Sequence, residues 1–284
     1  MIGVTGASGH LGGLVIESLL GRVPASEIVA VVRNPEKAVD LASKGVVVRA
    51  GDYSKPETLA PAFAAVDKLL LISGNEVGKR VAQHTAVAAA ARQAGAKLLA
   101  YTSLLHADRS PLLLGEEHRQ SEAAIRASGV PFVLLRNSWY NENYTNAVKQ
   151  SVKLGVHYGC SGEGRISAAA RADYAAACAA VLTAKDDPSG RTYELAGDEG
   201  FTLAQFAAEI AKRSGKAVRY ENLSEADYKA VLAKAGLAEA AAGFFANTDT
   251  GISKGALYDD SRQLSKLIGR PTTPISATIK AALA

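Results

Sequence analysis

The chain has 284 residues, 48% hydrophobic and 21% charged, with 32 lysines and arginines against 28 acids and a formal net charge of +4. This is ordinary globular composition with length enough for a large core, and the interspersed charges suit an anionic small molecule while excluding the basic block of a nucleic-acid binder. Two cysteines, Cys160 and Cys178, without a close pairing motif exclude a disulfide or zinc framework, and no apolar stretch is long enough to span a bilayer.

Residue 2 already begins a strand, which leaves no room for a signal peptide, so a cytoplasmic location is expected. Ile2 to Thr5 reads as a buried strand, and Leu11, Leu14, Val15 and Leu19 as one face of a helix from His10 to Leu20. Between them lies Gly6-Ala7-Ser8-Gly9-His10-Leu11-Gly12. Strand, glycine turn and helix form the setting of a dinucleotide fingerprint, here spaced Gly-x-x-Gly-x-x-Gly. A turn without bulky side chains lets a pyrophosphate reach the backbone N–H groups and the positive end of the helix. The competing reading is a purely structural turn.

The second strand, Ile28 to Arg33, ends without the Asp or Glu that takes the ribose 2′-hydroxyl in an NAD-preferring site. Arg33 stands there instead, and a guanidinium grips a 2′-phosphate with two charge-assisted bonds, which points to NADPH. A solvated arginine at a strand end is the alternative. A short helix (Glu36 to Ser43), a strand (Val46 to Ala50) and Gly51-Asp52-Tyr53 follow. Asp52 is expected either to accept from an adenine amino group or to cap the segment at Pro56. Pro61 shortens or kinks the next helix. Lys68 to Ser73 is a fourth strand, and the small polar loop Ser73-Gly74-Asn75 lies at its carboxyl end.

An alanine-rich helix from about Val81 to Ala94 leads to a strand from Lys97 to Thr102. The loop Leu104 to Leu114 then enters a helix, Glu116 to Ser128, where His118 and Glu122 read as an i to i+4 surface pair rather than metal ligands. Pro131 to Arg136 is a sixth strand. It runs into Asn137-Ser138-Trp139-Tyr140-Asn141-Glu142-Asn143-Tyr144, whose apolar faces with polar tips suit a flat aromatic ligand. Beyond Val152, Gly159, Gly162 and Gly164 mark a loop, and Arg171-Ala172-Asp173-Tyr174 opens an alanine-rich helix. A strand at Thr192 to Ala196 comes next. Thr202 caps a helix stopped by Gly215, Val218 to Asn222 is a strand, Ser224 caps a helix, and residues 236–246 form another before a short final one.

The alternation defines an α/β fold, a Rossmann-type doubly wound parallel sheet with a smaller C-terminal α/β lobe. Residues 1–150 are expected to form an NADP-binding domain to which later segments return, and residues 151–284 a lobe on the substrate side. None of the ten tyrosines is followed four residues later by lysine, so the proton-donating pair of a carbonyl reductase is missing. The Gly-x-Ser-x-Gly elbow, the His-Glu-x-x-His zinc motif and the Walker lysine are missing too. The cofactor must carry the reaction, and a quinone, which accepts hydride readily, fits that limit.

Gly6 through Gly12, Arg33-Asn34-Pro35, Gly51-Asp52-Tyr53, Ala100 to Ala107, Leu135 through Tyr140, Arg171 through Tyr174 and Ser261 to Pro274 together resemble the NmrA-like branch of the atypical short-chain dehydrogenases, along nearly the whole chain. The resemblance implies NADPH bound by Gly6, Ala7, Ser8, Gly9, His10 and Leu11, by Arg33, by Ser73, Gly74 and Asn75, by Asn137, Ser138, Trp139, Tyr140, Asn141 and Glu142, and by Arg171. It implies a quinone beside Asn137, Trp139 and Tyr140, and it supplies no proton donor, so no catalytic residue is assigned. The expected function is NADPH-dependent quinone reduction, with hydride passing directly from nicotinamide to quinone and no flavin or metal. The alternatives are a non-catalytic NADP-binding redox sensor and a reductase of another flat electrophile such as a triphenylmethane dye. Neither nucleic acid nor membrane is an expected partner; a homodimer is compatible with the sequence.

Overall fold

The structure, a computed structural model, describes all 284 residues. Its strands are β1 (Ile2–Thr5), β2 (Ile28–Val32), β3 (Val47–Ala50), β4 (Lys68–Leu71), β5 (Leu98–Leu104), β6 (Phe132–Asn137), β7 (Val156–Gly159), β8 (Thr192–Leu195) and β9 (Arg219–Asn222). Seven of them form one sheet in the order β3-β2-β1-β4-β5-β6-β8, and β7 pairs with β9 in a second. Strands β1 to β6 pair in parallel, with Thr5 opposite Val31 and Leu71 opposite Tyr101. The central strands are buried on both faces, Val29 to Val31 and Leu69 to Leu71 almost without exposure, which is why they read as unbroken apolar runs. The order reverses between β1 and β4. In a doubly wound sheet the ligand crevice opens at that switch point, outside the carboxyl ends of the strands. The loops after β1 and β4 are the glycine turn and Ser73–Asn75.

The chain divides into two compact units. The first comprises residues 1–107, 117–137 and 171–193. In it the helices His10–Leu20 and Arg171–Leu182 pack on each other, and alanines along the second allow the close approach. The helix Arg80–Gln93 buries Val87, Ala88, Ala90 and Ala91. Pro61 sits in a four-residue helix, Leu59–Ala62, the short element that its missing N–H dictates. The second unit comprises residues 108–116, 138–170 and 194–284. It holds β7 and β9 and the helices Leu203–Ser214, Glu225–Lys234, Glu239–Ser253 and Ile275–Leu283. Thr202 forms a capping box with Gln205, Gly215 closes that helix at φ +67°, and Ser224 accepts from the Asp227 N–H. These local signals act where the sequence places them.

Other expectations are corrected. Of the glycines expected to mark a loop, Gly159 instead ends the strand Val156–Gly159, which finds β9 more than sixty residues away; that pairing has no local signature. The helix expected over 236–246 spans Glu239–Ser253, and Gln263–Ile268 is an additional helix. Asp52 does not cap the segment at Pro56. Its Oδ1 accepts from Ser54 N at 2.9 Å, an Asx turn, while the Thr58 hydroxyl takes the Asp52 N–H.

Candidate functional site

The glycine turn is shaped by two close approaches. Gly6 stands at φ +60°, a conformation L side chains rarely adopt. Gly9 N donates to Gly6 O at 2.9 Å, and Ala7 N reaches Val31 O on β2 at 3.3 Å. A Cβ on Gly12 would collide with the Gly6 carbonyl oxygen and lie 2.7 Å from the Ala7 Cα. Ala7 and Leu11 are buried, whereas Gly6, Ser8, Gly9 and His10 are exposed. The apolar side chains therefore anchor the turn. The opening N–H groups of the helix that starts at His10 have no intrahelical partner and are disposed for an anion.

Arg33 follows the end of β2, is exposed, and makes no hydrogen bond or ion pair within the chain. Its field reaches two neighbours. Burial pushes the Tyr53 phenol well up, with the Thr5 bond and the Arg33 charge pulling the other way. The Glu76 carboxyl is held below its ordinary range, first by Lys79 and least by Arg33. Nothing in Gly51-Asp52-Tyr53 as a sequence assigns Tyr53 a role in the site. Its hydroxyl pairs with Thr5 Oγ1 and donates to Ile72 O at 2.9 Å, tying together the ends of β1 and β4.

After β4, three successive peptide N–H groups are taken by side chains rather than by backbone. Ile72 N donates to Thr5 Oγ1 at 3.1 Å, Ser73 N to Thr102 Oγ1 at 2.9 Å and Gly74 N to His84 Nε2 at 3.0 Å. Arg80 Nε holds the Gly74 carbonyl at 2.8 Å, and its NH1 pairs with Glu117 at 2.8 Å. Asn75 is exposed. Nothing local assigns Thr5, Thr102, His84 or Arg80 to this loop, because each reaches it from another element of the fold.

At the end of β6, Arg136 grips Glu122 twice, Nε to Oε1 at 2.9 Å and NH2 to Oε2 at 2.8 Å, with Ser103 donating to Oε1 at 2.7 Å. The expected surface pair of His118 and Glu122 is thereby overturned. Both are buried, and His118 Nδ1 turns to the Tyr101 hydroxyl at 2.8 Å. Burial holds the His118 imidazole down at about 3, helped by the Arg80 charge and His84. Next to Arg136, Asn137 is buried with both amide atoms, Nδ2 and Oδ1, unpartnered. A buried amide with nothing to bond carries a desolvation penalty that a bound ligand relieves. Arg171, the remaining candidate in this unit, is half-buried at the start of its helix.

In the second unit, Ser138 is used structurally: its N–H donates to Leu195 O at 2.8 Å and its hydroxyl lies 3.3 Å from Leu257 O. Tyr140 bridges to Ala169, and Trp139 O accepts from Ala169 N at 3.2 Å. Asn141 N donates to Ala169 O at 2.9 Å and its Nδ2 to Thr273 O at 3.1 Å, which leaves Oδ1 buried and unpartnered. Glu142 is half-buried. Trp139 lies near-parallel to Phe244, centroids 6.4 Å apart at 27°, and Phe244 meets Phe245 edge-on at 5.5 Å. Phe244 sits within an alanine-rich run and nothing local marks it. On the same helix Asp249 Oδ2 accepts from Cys160 N at 2.9 Å, and burial raises its carboxyl to about 6.

A fingerprint turn at the switch point of a sheet whose strands run 3-2-1-4-5-6 defines a dinucleotide-binding protein. A family profile described as NAD(P)H-binding matches residues 6–185, and the chain belongs to this family. It is 52% identical over 279 residues to Quinone oxidoreductase 2 of Escherichia coli K12, covering 98% of this chain and 97% of that one. The solved E. coli NADPH-dependent quinone oxidoreductase complexed with NADPH superposes with a TM-score of 0.98 at 51% identity, over the whole of both chains. Triphenylmethane reductase from Citrobacter sp., complexed with NADP(H), also superposes over the whole of both chains, with a TM-score of 0.96 at 41% identity.

Proposed function

We infer that the chain is an NADPH-dependent quinone oxidoreductase of the NmrA-like type. The observation that carries the reading is likeness along the whole chain to the E. coli quinone oxidoreductase, which is solved with NADPH bound. The chain's own residues fit the cofactor. The exposed turn at Ser8 to His10 offers helix-start N–H groups to the pyrophosphate, and Arg33, with no carboxylate paired to it, offers its fork to the 2′-phosphate. The two orphaned atoms of Asn137 offer a donor and an acceptor to a carboxamide or a quinone oxygen. Ser73, Gly74, Asn75 and Arg171 complete the proposed cofactor set, with Trp139, Tyr140, Asn141 and Glu142. Asn137, Trp139 and Tyr140 are proposed to face the quinone.

Bound NADPH supplies the hydride. The protein's part is to hold both rings, and the one proton that completes the hydroquinone comes from water or a nearby polar group. A cytoplasmic location and a homodimer belong to the same reading; light scattering on the purified chain tests the dimer. No helix is long and apolar enough to cross a membrane.

The test is NADPH oxidation by the pure protein, with NADH in parallel, across benzoquinone, a naphthoquinone and a triphenylmethane dye. Quinone-dependent oxidation that prefers NADPH is the expected result. Turnover of the dye alone would favour the second reading that the Citrobacter likeness suggests. Binding of NADPH with no turnover of any acceptor would make the chain a redox sensor.

A further inference from the structure

We propose that His84 is a positioning residue for NADPH, acting through the Gly74 peptide to fix the loop Ser73–Asn75 on which the nucleotide rests. The proposal rests on the cofactor reading above. The protons in this cluster can be assigned from geometry alone. A peptide N–H only donates, so the His84 Nε2 that receives Gly74 N at 3.0 Å carries a lone pair. The ring's proton is then on Nδ1, which faces Ser121 Oγ at 2.9 Å, and Ser121 passes its own proton to Glu117 O at 2.7 Å. Each donor meets one acceptor, and each role is forced by the next.

The imidazole is fully buried and braced by Tyr101, edge-on at 5.1 Å, and by Tyr53 at 6.3 Å. Arg80 holds the other end of the same residue through Gly74 O at 2.8 Å. Gly74 is thus clamped at both its N–H and its carbonyl by two buried side chains of one helix. With the Ser73 and Gly74 N–H groups consumed from within and the Ser73 hydroxyl turned to Gly74 O at 3.4 Å, the exposed Asn75 is what the loop offers a nucleotide. A peptide that lost its clamp would add loop disorder to the cost of binding, since ordering is paid when the ligand arrives.

Two near-isosteric replacements separate the two bonds of the ring. The amide oxygen of His84→Gln reaches the place of Nε2 and accepts from Gly74, whereas the amide of His84→Asn reaches only the place of Nδ1 and serves Ser121. NADPH affinity is measured by calorimetry on the full chain, with amide exchange at Gly74 and thermal unfolding alongside. The expected result is a dissociation constant within about threefold of wild type for His84→Gln, and weaker by about tenfold or more for His84→Asn, with Gly74 deprotected only in the latter. Equal affinities in all three proteins, or both variants losing stability while affinity stays unchanged, would overturn the proposal. Failure of the wild-type chain to bind NADPH would overturn the cofactor reading, and this proposal with it. Normal NADPH binding without quinone turnover would sink only the quinone reading.

Discussion

Gly12 lies so close over Gly6 that a Cβ on the first would strike the carbonyl oxygen of the second. Both obstructing groups, Gly6 O and Ala7 Cα, are backbone and cannot swing aside. Gly12→Ala is therefore expected to cost about 1–3 kcal/mol of stability, as overpacking does, and to weaken NADPH binding by displacing the turn. Gly13, one residue on in the same helix, has nothing within 4 Å of its would-be Cβ. Gly13→Ala is expected to gain about 0.5–1 kcal/mol from helix propensity. Denaturant unfolding of the pair checks the contrast, and equal effects would mean the turn yields more easily than its packing implies.

Arg33→Ala should separate the two nicotinamides. Loss of a charge-assisted grip is worth about 1.5–3 kcal/mol, so NADPH should bind about tenfold to hundredfold more weakly. NADH has no 2′-phosphate and should bind within about twofold of wild type. Titration of both cofactors decides the point, and parallel losses would remove the 2′-phosphate from Arg33.

Asn137 predicts opposing effects on stability and activity. Both its amide atoms are buried without partners, and such groups cost about 1–3 kcal/mol. Asn137→Leu, close in volume, is expected to raise unfolding stability by about 1 kcal/mol while lowering kcat/KM for quinone at least about tenfold. A destabilised variant of full activity would show that the amide serves the fold rather than a ligand.

Phe244→Ala should act on the acceptor rather than the cofactor. Removing the ring beside Trp139 forfeits aromatic contact worth about 0.5–1.5 kcal/mol. KM should therefore rise by about twofold to tenfold for a two-ring naphthoquinone, less for benzoquinone, and not at all for NADPH. Steady-state kinetics with both acceptors tests this.

The buried histidines set an acid limit. His84 and His118 are each held down at about 3, first by burial and then by the Arg80 charge. In the unfolded chain they bind protons near pH 6.5, so stability is full above that pH and falls as pH drops towards 3, by about 1.4 kcal/mol per unit for each fully differential group. Asp249, raised to about 6, works the other way and adds stability as pH falls through 6 towards 4. The expected outcome is a net decline in urea midpoint below pH 6, shallower in His84→Gln and steeper in Asp249→Asn. A flat midpoint from pH 7 to 4 would contradict neutral burial of both imidazoles.

By itself the sequence determined what depends on near neighbours along the chain: the turn Gly6 to Gly12, the unbroken apolar strands, the caps at Thr202 and Ser224, and Arg33 where an acid would otherwise stand. Only the tertiary structure decided what depends on distant partners. It turned His118 to Tyr101 and Glu122 to Arg136, paired Val156–Gly159 with Arg219–Asn222, set Phe244 beside Trp139, and left the buried side-chain amide of Asn137 without a partner. Periodicity and turn chemistry act over a few residues, whereas a buried polar side chain takes whichever partner the folded sheet and helices deliver within 3 Å, and no local pattern encodes that distance.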